Sequence, residues 1–133
     1  MNESLEWQVR KRAKECCEYC QIPAYISEFT FPLDHIIAQQ HLGERTFDNL
    51  ALSCPHCNYH KGPNIAGLDP VSGKLTRLFN PRRNRWSAHF AWDGPELVGK
   101  TAIGRTTLYL LDMNHPDRVE VRRLLVEAGL FPP

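Results

Sequence analysis

Two cysteine pairs with the same spacing, Cys17-x2-Cys20 and Cys54-x2-Cys57, constrain this chain more than any other feature. A gap of two residues lets both thiolates of a pair reach one ion from a tight turn. Two such pairs complete a tetrahedral four-thiolate zinc site with no open position. A closed site of this kind is structural, tying the end of an N-terminal helix to a strand and helix beyond the 33 residues that separate the pairs. Thioredoxin-type chemistry uses one such pair, not two. The fifth cysteine, Cys16, precedes Cys17, and Cys16-x3-Cys20 is also a tolerated ligand spacing. Cys17 is the expected ligand, with Cys16 a core-facing thiol on the helix, and the odd count fits one cysteine left outside the site.

The chain of 133 residues suits one domain, with residues 17–66 as its motif core and a basic hairpin and C-terminal helix extension over 67–133. That length buries roughly two-thirds of the unfolded surface. The opening "MNESLEWQVRKRAKE" is amphipathic and charged, with neither a signal-peptide nor a membrane-span pattern. A cytoplasmic location is expected, where reduced thiols favour metal over disulfide. The net charge of +1 conceals an uneven distribution. Between 71 and 105 stand Lys74, Arg77, Arg82, Arg83, Arg85, Lys100 and Arg105 against Asp93 and Glu96, whereas 15–70 is acidic. A metal site beside a polyanion-binding surface has this character.

Apolar spacing predicts a helix over 4–16, with Leu5, Val9, Ala13 and Cys16 on one face and Ser4 or Asn2 as its cap. Strands are expected over 28–37 and 50–54. "PHCNYHKG" (55–62) reads as a short helix that starts on Pro and stops at Gly. "LDPVSGKLTRLFN" reads as a turn and a short strand, and "WSAHFAWDGPELVGKT" as a hairpin around Asp93–Gly94–Pro95. "HPDRVEVRRLLVEAG" closes the chain as a helix. Asn114 is its expected cap, Val119, Leu124, Leu125 and Ala128 its inner face, and Gly129 its stop. Arg122 and Arg123 are expected to be solvated.

Three polar elements lie within the cysteine-bracketed region: Asp34–His35, Asp48–Asn49, and Asn58 directly after Cys57. A strand–loop–strand–helix unit can bring Asp34, His35, Asn49 and Asn58 into one cleft. A carboxylate and an amide oxygen are hard ligands that suit Mg²⁺. A neighbouring histidine can serve as general base at neutral pH. One metal, one base and a basic flank add up to phosphodiester hydrolysis. Adjacent strand residues point to opposite faces, so Asp34 and His35 can serve one centre only through irregular backbone at 33–36. Arg82, Arg83 and Arg85 in "NPRRNRW" suit phosphate contact, and Lys61 is a further candidate. Trp86 is expected in the core. His60 points about 200° away from Asn58 on a helix and is secondary.

The order "CEYC" (17–20), "DHI" (34–36), "DNL" (48–50) and "CPHCNYHKG" (54–62) resembles the HNH endonucleases. The likeness covers 17–62 by motif, and "LFNPRRNRW" and "HFAWDG" also resemble segments that follow it in bacterial HNH proteins. The resemblance implies an α+β fold: a small ββα-metal (His-Me finger) core stapled by zinc, with flanking N- and C-terminal helices. It implies DNA as substrate, with 5′-phosphate and 3′-hydroxyl products. By position, His35 matches the general base, Asp34 a catalytic-metal ligand, Asn49 the asparagine that orients the histidine, and Asn58 the last metal ligand. Asn58 stands where many members carry histidine, making this an H-N-N variant suited to Mg²⁺ or Mn²⁺. A non-catalytic zinc-stapled nucleic-acid- or protein-binding module is the alternative. A homodimer or a targeting protein partner is compatible with a chain that shows no separate sequence-reading segment.

Overall fold

The structure is a computed structural model and describes residues 3–133. The alternative helix cap Asn2 lies outside the described residues. Helix α1 (Leu5–Arg12) is capped by Ser4, whose hydroxyl accepts the Trp7 N–H at 3.1 Å. It ends four residues earlier than its apolar spacing predicts, because the chain turns through left-handed backbone at Lys14 and Glu15. Cys16 is therefore off the helix, half-buried in a β-bridge with Pro23, which corrects the expectation of a core-facing helical thiol. Arg12 anchors α1 to the following layer. Its guanidinium donates to Phe47 O at 2.8 Å and Leu50 O at 2.5 Å, and lies 3.8 Å over the Phe47 ring.

Strands β1 (Leu33–His35) and β2 (Leu50–Leu52) pair antiparallel, Asp34 opposite Ala51 and His35 opposite Leu50. The ladder is regular through 33–35 and extends to an Ile36 N–H bond with Asn49 O at 2.9 Å. The expected irregularity at 33–36 is met only at its end: 33–35 is regular strand, the strand stops at His35, and the chain bends at 36–37, directly after the pair. Helix α2 (Pro55–Lys61) follows directly, close to the predicted span, with Cys54 as cap, Pro55 at the first position and Gly62 at the stop. These three elements form the ββα unit.

The rest of the chain adds two hairpins and two helices. Strands β3 (Ala66–Leu68) and β4 (Leu75–Arg77) pair where the sequence predicts only one strand. After helix α3 (Trp86–His89), β5 (Phe90–Asp93) and β6 (Glu96–Gly99) turn at Gly94 as predicted. Helix α4 (Ala102–Leu110) packs on β3, β4 and β6. Its close approach to the end of α3 and to β6 needs two glycines: a Cβ on Gly104 would lie 2.1 Å from His89 O, and one on Gly99 2.6 Å from Arg105 N.

Helix α5 (Pro116–Glu127) is capped by His115, whose Nδ1 accepts the Asp117 N–H, and not by Asn114. Asn114 instead bonds both Leu97 backbone groups, at 2.9 and 2.8 Å. The inner face of α5 is also corrected. Leu124 is 53% exposed, while Arg122 is fully buried and donates to Pro95 O, Met113 O and Asn114 Oδ1. Val9, Tyr19, Ile22, Phe31, Leu50, Leu52, Phe79, Phe90 and Leu111 form one continuous core around the ββα unit. Each large side chain there contributes about 1.5–3 kcal/mol. Among the described residues no helix is long and apolar enough to cross a membrane.

Candidate active site and metal centre

The cysteine spacing is realised in space. The Sγ atoms of Cys17, Cys20, Cys54 and Cys57 all lie within 4.8 Å of one another, and all four residues are buried. Both pairs adopt the same local form: the Cys20 N–H points at Cys17 Sγ (3.5 Å) and the Cys57 N–H at Cys54 Sγ (3.4 Å). Glu18 fastens the first pair to β2, its N–H donating to Leu52 O and its carboxylate accepting the Leu52 N–H, each at 2.8 Å. Hydrogen bonds from Cys17, Cys20 and Cys57 hold the Cys54 thiol far below its ordinary value. Proton sharing, first with Cys17, pushes Cys20 and Cys57 well above theirs. One thiolate is favoured by such a cluster and four are not, so a dication is what lets the set ionise together. Four buried cysteines in this arrangement suit a structural zinc, with Cys17 as the ligand and Cys16 outside the set.

Asp34, His35 and Asn58 line one cleft of about 470 Å³, together with Ala38, Gln39 and Gln40. β1 supplies the first two and the second turn of α2 the third. The His35 Nε2 is buried and has no hydrogen-bond partner among the described residues. Asp34 is 4% exposed and heavily engaged. Its Oδ2 accepts the Tyr19 hydroxyl at 2.7 Å and stands 3.2 Å from Lys61 Nζ. Burial pushes the Asp34 carboxyl above its ordinary value, against the pull of Lys61 and Tyr19.

The remaining predicted residues lie elsewhere. Lys61 is 1% exposed and turned inward onto Asp34 and His35 O, so it is not the phosphate contact expected of it. Asn49 does not bond His35. Its side chain accepts the Ile37 N–H and donates to Ile37 O and Glu44 O, each at 2.9 Å, closing the loop between β1 and β2. Asn49 and Lys61 line a second cavity of about 670 Å³ with Asn64, Arg77, Arg82 and Arg83. Arg82 is ion-paired with Glu18, and burial with Arg12 nearby pushes it down to about 10. It is therefore a structural arginine rather than a free phosphate contact, whereas Arg83 and Arg85 are exposed. Trp86 packs on Phe90 and Trp92, and its Nε1–H donates to Tyr19 O at 2.7 Å, as a core residue.

Tyr19 and Glu18 are the site residues that sequence reasoning passed over. Both lie between the first two cysteines, so the Cys17–Cys20 turn aims them into the ββα unit.

The family model described as HNH endonuclease matches residues 17–64, from the first cysteine ligand to just beyond α2. No curated protein and no solved structure matches the chain.

Proposed function

We propose that this chain is a metal-dependent DNA endonuclease, a reading supported by the match of residues 17–64 to the HNH endonuclease family model, which implies a nuclease-type function. The observation that carries this reading is the meeting of His35, Asp34 and Asn58 in one cleft, with an unpartnered nitrogen on His35. His35 is the general base: it takes a proton from the water that attacks phosphorus in line with the departing 3′-oxygen, leaving 5′-phosphate and 3′-hydroxyl ends. Asp34 and Asn58 would hold a divalent ion, Mg²⁺ or Mn²⁺ by the hardness of their oxygens. Such an ion would supply stabilisation of charge on the scissile phosphate. Asn58 fits the role, since its amide forms no side-chain hydrogen bond among the described residues. Asp34 shares its carboxylate with Lys61 and Tyr19, which fix its position and leave Asn58 the freer donor. Asn49 acts on His35 at one remove, by holding the loop that leaves β1. Arg83 and Arg85 contact the DNA backbone.

The Asp34–Lys61 ion pair favours a second reading, in which the acid is structural and the chain is a non-catalytic zinc-stapled binding module. Plasmid DNA incubated with Mg²⁺ or Mn²⁺ separates the two. Cutting by the wild type and none by His35→Ala, at equal zinc content, is the expected result. Equal cutting by the variant sinks His35 as base, and no cutting by the wild type with either metal on duplex or single-stranded DNA establishes the binder.

A further inference from the structure

Helix α2 carries a second group of metal-binding side chains on a face that the cleft does not use. His56 and His60 are one turn apart, which places both rings on one side of the helix, their centroids 4.3 Å apart. Asp112, at the corner between α4 and α5, meets them there. One ligand atom from each of the three lies within 4.8 Å of the other two, and all three residues are half-buried.

The hydrogen bonds around this group leave its donors free. His56 Nε2 stands 2.8 Å from the Asp112 carbonyl. A carbonyl only accepts, so Nε2 carries the proton and Nδ1 keeps its lone pair. A bond of this type is what fixes the tautomer and ring plane of a metal-binding histidine. Among the described residues no hydrogen bond or ion pair engages the His60 ring or the Asp112 carboxylate. Asp112 also holds a backbone φ of +48°, a left-handed conformation uncommon for a residue with a side chain. Two imidazoles and one carboxylate suit a borderline cation such as Zn²⁺ rather than Mg²⁺. His115 is a further imidazole near the group, 6.0 Å from His56, and its Nδ1 is occupied in capping α5, which leaves the fourth position to water.

We propose that His56, His60 and Asp112 form a second zinc site, distinct from the four cysteines and from the cleft, that clamps α2 to the corner between α4 and α5. The site joins the segment of the family match to the C-terminal helices through a bond stronger than the single His56–Asp112 contact.

The test counts zinc in a His35→Ala/Asn58→Ala reference protein, so that metal at the cleft is not included. Native mass spectrometry of the zinc-loaded reference is expected to show about two equivalents per chain, and about one after His60→Ala or Asp112→Asn. Asparagine tolerates the left-handed backbone, so Asp112→Asn keeps the corner intact. Added zinc raises the melting temperature of the one-zinc reference and leaves that of either variant unchanged. Cobalt at the second position gives weak d–d bands without the sulfur charge-transfer absorption of the thiolate site. Two equivalents retained by both variants, or a reference that stops at one equivalent and shows no melting shift, overturns the proposal.

Discussion

Replacing Lys61 with methionine isolates the cost of an unpaired acid inside the ββα unit. The side chains of Lys61 and Asp34 are 2% and 5% exposed and their charges are 3.2 Å apart. Removing one member of a buried pair costs about 3–5 kcal/mol, because the partner charge stays buried. Asp34 can escape by taking a proton, which sets a ceiling. From an ordinary aspartate near ~3.9 to pH 7 is about 3 pH units at ~1.4 kcal/mol each, or about 4 kcal/mol. Once Lys61 is gone, the folded-state pKa of Asp34 lies well above its unfolded value. The penalty is then largest at high pH and shrinks as pH falls toward the unfolded value. At pH 5.5 the same arithmetic gives about 2 kcal/mol. Urea unfolding of zinc-loaded wild type, Lys61→Met and Asp34→Asn/Lys61→Met at both pH values measures this. The double variant, which buries no charge, should recover more than half of the loss at pH 7. A single-variant cost below about 1 kcal/mol with no pH dependence would refute the buried pair, and is what a solvent-facing, phosphate-binding lysine predicts.

Three further outcomes follow from the same structure. Arg122→Ala strands two buried carbonyls, Pro95 O and Met113 O, and removes one of the two donors to Asn114 Oδ1, and should cost about 3 kcal/mol or more in urea unfolding; Arg122→Lys rescues little, since one ammonium cannot span Pro95 O, Met113 O and Asn114 Oδ1. Asp69 is held below its ordinary value chiefly by a bidentate Arg105, so its contribution is complete above the unfolded aspartate value near ~3.9 and is lost as pH falls through the folded one; the urea-midpoint gap between wild type and Asp69→Asn should close below about pH 4. Chelation of zinc, or Cys57→Ser, should lower the melting temperature and expose Tyr19 to solvent quenching, because the cluster joins the first knuckle to α2.

The features legible in the sequence were those that short-range chemistry decides. The cysteine spacing located the four-thiol cluster, and Pro55 and Gly62 bounded α2, because ligand geometry and helix ends act over a few residues. The hairpin turn at Gly94 was legible for the same reason. The misread residues were polar groups whose partners are distant in sequence. Lys61 reads as solvated until the fold brings Asp34 against it, and Arg122 reads the same way until Pro95 and Met113 surround its guanidinium. α4 escaped notice because Gly104 and its two buried threonines interrupt the apolar period, and those small residues are what its close packing demands. Asn49 stood out in the sequence as a candidate partner of His35, but the motif does not encode which backbone groups its amide meets.

That asparagine has a consequence for how such a scaffold can diversify. One amide fastens both backbone groups of Ile37 and the Glu44 carbonyl, and Gly43 passes so near that a Cβ would lie 1.7 Å from Ile37 O. The excursion between β1 and β2 is thus sealed at its base, with Gln39, Gln40, His41 and Leu42 displayed outside the seal. Gln39 and Gln40 also line the cleft, so substitutions at these two would alter what its rim presents without reaching the strand pairing or the thiol cluster. On the nuclease reading proposed above, such changes would retune substrate contacts at the rim and leave the buried residues of the cleft constant.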